Sequence, residues 1–277
     1  MKTMKLLMKP LASTLAAAAL LMSTVTPALA DPALQAAIAA PHRTPAFVAR
    51  DVWRHPYETL TFFGIQPGMT VVEISPGGGW YTEILAPYLR SSGKLILAGD
   101  DPESDKAYAR RGAERMAKKL AAQPEIYDKV TVSVFAPPAK VSYVPAGTAD
   151  MVLTFRNAHN WAAGGDAVTR AAFKSAFDAL KPGGIFGVVD HRLPAARPLD
   201  PKFDSGYVHS ALVVQWAQNA GFKLLAQSEI NANPKDTADH ENGVWALPPT
   251  LANKDKDRAR YAAIGESDRM TLKFIKP

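Results

Sequence analysis

The chain has 277 residues, with 32 lysines and arginines against 26 acids, a formal charge of +6, and no cysteine. Without thiols, disulfides and cysteine nucleophiles are excluded. Lys2, Lys5 and Lys9 are the only charged residues among the first thirty, and removing them lowers the charge to +3. With no dense Lys/Arg block, that balance argues against nucleic acid as a partner.

The N-terminus reads as an export signal. Lys2, Lys5 and Lys9 precede an apolar run from Leu11 to about Met22, and Ala28 and Ala30 stand in an A-x-A arrangement. These are the three parts of a secretory signal peptide over residues 1–30, cleaved after Ala30. There is no twin-arginine pair, so the general secretory route to the periplasm is expected. The Ala-rich run is short for a span of about 20 apolar residues, so no stable membrane insertion is expected after cleavage. What remains, 31–277, fits one domain.

Residues 31–68 carry helical patterns cut into short pieces by Pro41, Pro45 and Pro56, an N-terminal helical cover. From Met69 the pattern changes. "TVVEIS" is a buried-strand run, followed by a Gly77-Gly78-Gly79 turn and the amphipathic "WYTEILAPYLR". "KLILAGD" is a second strand, followed by a long polar helix, and "KVTVSVF" is a third. "ADMVLTFRNAHNW" is a fourth, running out into polar residues. A helix to "LKPGG" reads as stopped there, before "IFGVVDHR" as the fifth strand. A further helix leads to "KLLAQSEI", and "RMTLKFIKP" alternates like a last strand. Between these two, 231–267 is too long for a plain loop, and Trp245, Leu247, Leu251 and Tyr261 make it too apolar to stay unfolded. It is expected to fold over the sheet end as a lid with residues 42–66, bringing His240 and Glu241 near the cleft.

Strands alternating with helices imply an α/β, Rossmann-like, doubly wound sheet. Ligands in such sheets sit beyond the carboxyl ends of the strands. The glycine turn lets a ligand approach the backbone closely. Asp100 ends the next strand, about 20 residues beyond, where an acid can accept hydrogen bonds from ribose hydroxyls. The loop lacks the Lys and Ser/Thr of a P-loop, so a phosphate-binding NTPase is not expected.

Glu73-Ile74-Ser75-Pro76-Gly77-Gly78-Gly79 resembles the first motif of class I S-adenosylmethionine-dependent methyltransferases: an acid, an x-G-x-G core and a helix. Ser75 stands where many members have glycine. The resemblance spans 69–277 and implies a sheet of about seven strands with an antiparallel last strand. More narrowly, "RHPYETLTFFGIQPGMTVVEISPGGGWYTEILAPYL", "NAHNW", "VVDHR" and "IGESDRMTLKFIKP" are similar to a family of exported bacterial proteins described as predicted methyltransferases. It implies S-adenosylmethionine as cofactor. Glu73, Ser75 and the backbone of Gly77, Gly78 and Gly79 would face its methionine end. Asp100 or Asp101 would hold the ribose, and Phe135 would flank the adenine.

Past the fourth and fifth strands lie Arg156, Asn157, His159 and Asn160, then Asp190, His191 and Arg192. These strands are expected to be neighbours, placing both histidines in one cleft. Histidine suits proton removal from a methyl acceptor. His159 is the first candidate base and His191 the second, and Asn157 or Asn160 would orient the substrate. Asp190 is read as bracing a loop or pairing with Arg192, and no metal is expected because the spacing matches no metal motif. The acceptor expected is a small molecule. Two other readings stay open: a non-catalytic binding protein on the same fold, and a different chemistry in the same cleft.

Overall fold

The elements follow one another in the order α1 (Pro32–Ile38), α2 (Pro45–Val48), α3 (Asp51–Arg54), α4 (Pro56–Phe63), β1 (Thr70–Ile74), α5 (Thr82–Leu89), β2 (Lys94–Gly99), α6 (Ala107–Ala122), α7 (Pro124–Tyr127) and β3 (Thr131–Val134). There follow β4 (Ala149–Phe155), α8 (Ala158–Ala163), α9 (Asp166–Ala179), β5 (Leu180–His191), α10 (Ser210–Asn219), β6 (Lys223–Ser228), a 3-10 turn (Gly243–Ala246), α11 (Arg258–Ile264) and β7 (Arg269–Ile275). The structure is a computed structural model that describes residues 30–277. The signal expected over 1–30 lies outside the described residues apart from Ala30. No helix of the described chain is long and apolar enough to cross a membrane.

The seven strands form one sheet in the order β3-β2-β1-β4-β5-β7-β6. β1 to β5 pair in parallel, while β7 runs antiparallel to both β5 and β6. Because the inner strands are covered on both faces, they read as continuous apolar runs. Val72, Ile74, Val152, Phe186 and Val188 face one core with Phe173 of α9 and Val213 of α10. Val71, Leu97, Met151, Leu153 and Val189 face the other with Leu60 and Phe63 of α4 and Ile84 and Leu85 of α5.

Two boundaries differ from the sequence reading. "LKPGG" does not lie between elements: α9 ends at Ala179 and Leu180 already pairs with Ala149, so the segment belongs to β5. Asp190 and His191 are the last two residues of β5, opposite Met270 and Arg269, so they are held by a ladder rather than by a loop. The cover is pinned through a buried carboxylate, since Glu83 on α5 accepts from the Thr44 backbone N–H at 2.9 Å and the Thr44 hydroxyl at 2.7 Å.

Candidate functional site

The winding changes direction between β1 and β4, which opens a crevice at their carboxyl ends. Two connected spaces occupy it. A broad cleft of about 1490 Å³ runs over the ends of β2 and β3, and an inner cavity of about 400 Å³ lies toward β5 and the N-terminal cover. Ser75, Pro76, Gly77, Asn157 and Asn160 line both.

Glu73, buried at the end of β1, faces the inner cavity and accepts from the Thr82 hydroxyl at 2.7 Å. Burial pushes its carboxyl up to about 8 against that hydrogen bond. Ser75 carries φ +52°, where an L side chain costs roughly 1–2 kcal/mol. Gly77 has φ +59° with open space where a Cβ would stand, and Gly78 lies beside Phe47. Gly79 is a departure from the expected cradle: it lines neither space, and a Cβ there would meet Lys119 at 3.1 Å. Its role is in packing the turn on α6.

On the broad side, Asp100 and Phe135 both line the cleft. The structure separates the two acids. Asp101 is taken by Lys140 at 2.6 Å and the Glu103 N–H at 3.0 Å. Asp100 is exposed to the cleft, and its carboxyl is raised by partial burial despite Arg115. It lies over Gly112 of α6 so closely that a Cβ there would come within 1.9 Å of Oδ2. Phe135 packs against Tyr143 and Trp161 with centroids 5.8 Å away.

The histidines meet as expected, with ring centroids 5.1 Å apart, both facing the inner cavity. His159 sits in the first turn of α8 at 2% exposure. Its Nδ1 lies 2.8 Å from Asp190 Oδ1, and its backbone N–H donates to Asp190 Oδ2 at 2.9 Å. A carboxylate only accepts, so Nδ1 carries a hydrogen, and in the neutral ring the lone pair is on Nε2. Nε2 is buried with no hydrogen-bond partner among the described residues. Asp190 also accepts the His191 N–H at 2.8 Å. It does not pair with Arg192, which is held by Glu229 and Asp268. His191 Nδ1 is 2.5 Å from the Ser267 hydroxyl. Burial, then His159, Arg156, Arg269 and Arg54, hold its ring well below the usual histidine range. His191 is therefore neutral.

Asn157 is not aimed at a ligand through its amide nitrogen. That nitrogen donates to Thr154 Oγ1 at 3.0 Å and to the Ile74 and Ser75 carbonyls at 3.3 Å, clasping the glycine loop to β4. His240 and Glu241 line neither space, contrary to expectation. His240 is buried against Asp236 at 2.8 Å, and Glu241 is exposed beside Lys256. The lid segment contributes Trp245, whose ring stands 6.0 Å from His159 and 6.5 Å from His191.

No family model matches the chain, and no curated protein matches it. Solved structures do. An S-adenosylmethionine-dependent methyltransferase from Aquifex aeolicus matches with a TM-score of 0.53 at 14% identity, covering 85% of this chain and 95% of that one. An O-methyltransferase from neocarzinostatin biosynthesis, solved with S-adenosylmethionine and 2-hydroxy-5-methyl naphthoic acid, matches with 0.51 at 13% identity. There the match covers 84% of this chain and 55% of that one. The fold is that of the class I methyltransferases. The cyclase SpnF shares it as well, with a TM-score of 0.51 at 16% identity over 76% of each chain.

Within this methyltransferase fold, His159, Asp190 and His191 offer potential metal-ligating atoms within 4.8 Å of one another. Asp190 already accepts three N–H groups, and the guanidinium groups of Arg54, Arg156 and Arg269 act on the same spot. That field opposes a cation. Sequence reading missed Arg50, Arg54, Trp80 and Tyr81 as lining residues of the inner cavity. Their signal was weak, because the two arginines sit in a polar helical stretch where surface exposure is the ordinary expectation.

Proposed function

We propose that this protein is an S-adenosylmethionine-dependent methyltransferase acting on a small-molecule acceptor. The cofactor would lie along Glu73, Ser75, Gly77 and Gly78, with Asp100 on the ribose and Phe135 beside the adenine. The acceptor would occupy the inner cavity. We further propose that the protein works after export to the periplasm and belongs with the exported predicted methyltransferases it resembles.

The observation that carries this reading is His159 Nε2, buried and unpartnered among the described residues in a cavity that shares its wall with the glycine loop. The residues fit the cofactor. Asp100 presents a carboxylate to the broad cleft while its neighbour Asp101 is engaged, and Gly77 leaves room where a side chain would intrude. S-adenosylmethionine supplies an electrophilic methyl group on a sulfonium. His159 takes the acceptor's proton on Nε2, and Asp190 fixes the tautomer and steadies the imidazolium that results. His191, kept neutral, donates or accepts a hydrogen bond without adding charge. Asn157 positions the loop. Trp245 and the cover wall the cavity beside the histidines.

The test compares two neighbouring acids. Asp100→Ala is expected to weaken S-adenosylhomocysteine binding by about tenfold or more, the loss of a charge-assisted hydrogen bond, and Asp101→Ala by less than about threefold. Equal effects would remove the assignment of Asp100. A second variant reads the same contact from the other side. Gly112→Ala gains about 1 kcal/mol in helix propensity yet pushes the Asp100 carboxylate away. It is expected to hold or raise the melting temperature while weakening the cofactor analogue. Unchanged affinity would show that Asp100 has no fixed role there.

A second reading keeps the cleft for binding or for another reaction. The cyclase SpnF, which shares the fold, gives it weight.

A further inference from the structure

The inner cavity is strongly cationic, and the methyl transfer just described uses none of that charge. Arg50 and Arg54 reach it from the cover, and Arg156 reaches it from the end of β4. Arg269, at the start of β7, stands behind them. One carboxylate, Glu266, serves this group: Arg54 Nε at 3.2 Å, Arg269 Nη1 at 3.1 Å, and Arg50. Burial would raise the Glu266 carboxyl, but Arg269, Arg54 and Arg50 outweigh it and hold it at about 2. Of the other carboxyl groups nearby, Asp190 is engaged by His159 and the His191 N–H, and Glu73, which also lines the cavity, accepts from Thr82 and has its carboxyl raised by burial.

Donors are left over. Arg50 Nη2 and Arg54 Nη2 are buried with no hydrogen-bond partner among the described residues, and Arg54 as a whole is 2% exposed. Arg156 makes no side-chain hydrogen bond to any described residue. It also holds φ +64°, a strained position for a side chain of its size. A buried guanidinium keeps its charge and needs acceptors, so the unfilled buried donors of Arg50 and Arg54, with the half-buried Arg156 lining the same cavity, imply an acceptor that a ligand brings. Planar forked donors of this kind suit carboxylate and phosphate oxygens.

We infer that the inner cavity binds an anionic methyl acceptor, its carboxylate or phosphate seated against Arg50, Arg54 and Arg156 and its nucleophilic atom presented to His159. This rests on the methyltransferase reading and names its substrate class. The cofactor's own carboxylate is the competing claimant for the arginines. Arg54 stands over the Trp80 ring beside the glycine loop, 4.8 Å from its centroid, but Arg156 reaches the cavity from the end of β4, next to His159 and His191, and with Arg269 and Arg54 it depresses the His191 ring. Arg156 is therefore the arginine that separates the two claimants.

The test needs no turnover. Inorganic phosphate, 4-hydroxybenzoate and the neutral 4-hydroxybenzamide are titrated calorimetrically into the purified protein, with and without saturating S-adenosylhomocysteine. An anion is expected to bind at least about tenfold more tightly than the amide, with S-adenosylhomocysteine present as well as absent. Preference for phosphate over the benzoate would identify a phosphorylated acceptor, and the reverse a carboxylic acid. Arg156→Gln, whose guanidinium has no internal partner to lose, is expected to cut anion affinity at least about tenfold and S-adenosylhomocysteine affinity less than about threefold. Arg50→Gln provides the same reading if that variant does not fold. Three results would overturn the inference: no anion binding, equal binding of benzoate and amide, or anions displacing S-adenosylhomocysteine with Arg156→Gln weakening both alike. The last would assign the arginines to the cofactor. Failure of S-adenosylhomocysteine to bind at all would strike the methyltransferase reading and leave the anion result standing.

Discussion

His159→Gln is expected to lower turnover by about 10²–10⁴-fold while changing S-adenosylhomocysteine affinity by less than about twofold. Glutamine keeps roughly the reach of imidazole and can still donate to Asp190, so the buried carboxylate is not stranded. What it lacks is a basic lone pair at the position of Nε2. A residue that only filled space would give a modest loss spread over binding and rate. A proton acceptor gives a loss confined to kcat. Single-turnover kinetics on the variant, set beside its calorimetric cofactor affinity, separates the two. Unchanged kcat, or equal loss in both quantities, would remove His159 from the chemistry.

The second large effect is on stability and comes from Glu73. In the unfolded chain this carboxyl has an ordinary value near 4.5, and burial raises it to about 8 in the folded protein. Between those values the folded state binds the extra proton, so stability falls as pH rises through the window and levels off above 8. Fully expressed, the shift is worth on the order of 5 kcal/mol. Glu73→Gln keeps an acceptor for the Thr82 hydroxyl and cannot ionise. For a domain of this size about 1 kcal/mol moves the melting temperature by 2–4 °C, so the variant is expected to melt at least about 5 °C above the wild type at pH 8. At pH 4 the two should melt nearly together. Thermal unfolding of the cofactor-free proteins at both pH values measures the difference, and an equal offset at both would show that Glu73 is not buried as an acid.

The strand ends explain how much of this was legible beforehand. Val71–Ile74, Leu95–Ala98 and Met151–Thr154 are buried on both faces, so their apolar runs announce a covered parallel sheet. Once that sheet is granted, the ligand rule for its carboxyl ends selects Asp100, Phe135, His159 and His191 with no contact known, whereas Glu73 came from the resemblance. The antiparallel β7 came from resemblance, because alternation in "RMTLKFIKP" carries no direction. What could not be read is what distant segments build together. Arg50 and Arg54, Arg156, and Glu266 and Arg269 come from three parts of the chain and acquire meaning only when packed together. Asp100 and Gly112 are a similar case, since a helical glycine gives no sign of which carboxylate it accommodates. His240 misled for the converse reason: its position near the cleft in sequence terms says nothing about the side on which Asp236 fixes it.

The central claim is that the glycine loop and Asp100 form a working nucleotide-cofactor cradle. Calorimetric titration of S-adenosylmethionine and S-adenosylhomocysteine into the purified wild-type protein tests it most directly. Micromolar dissociation constants for both are predicted, equivalent to about 8 kcal/mol of binding free energy. A folded protein that binds neither at millimolar concentration would contradict the account and leave the cleft to another ligand.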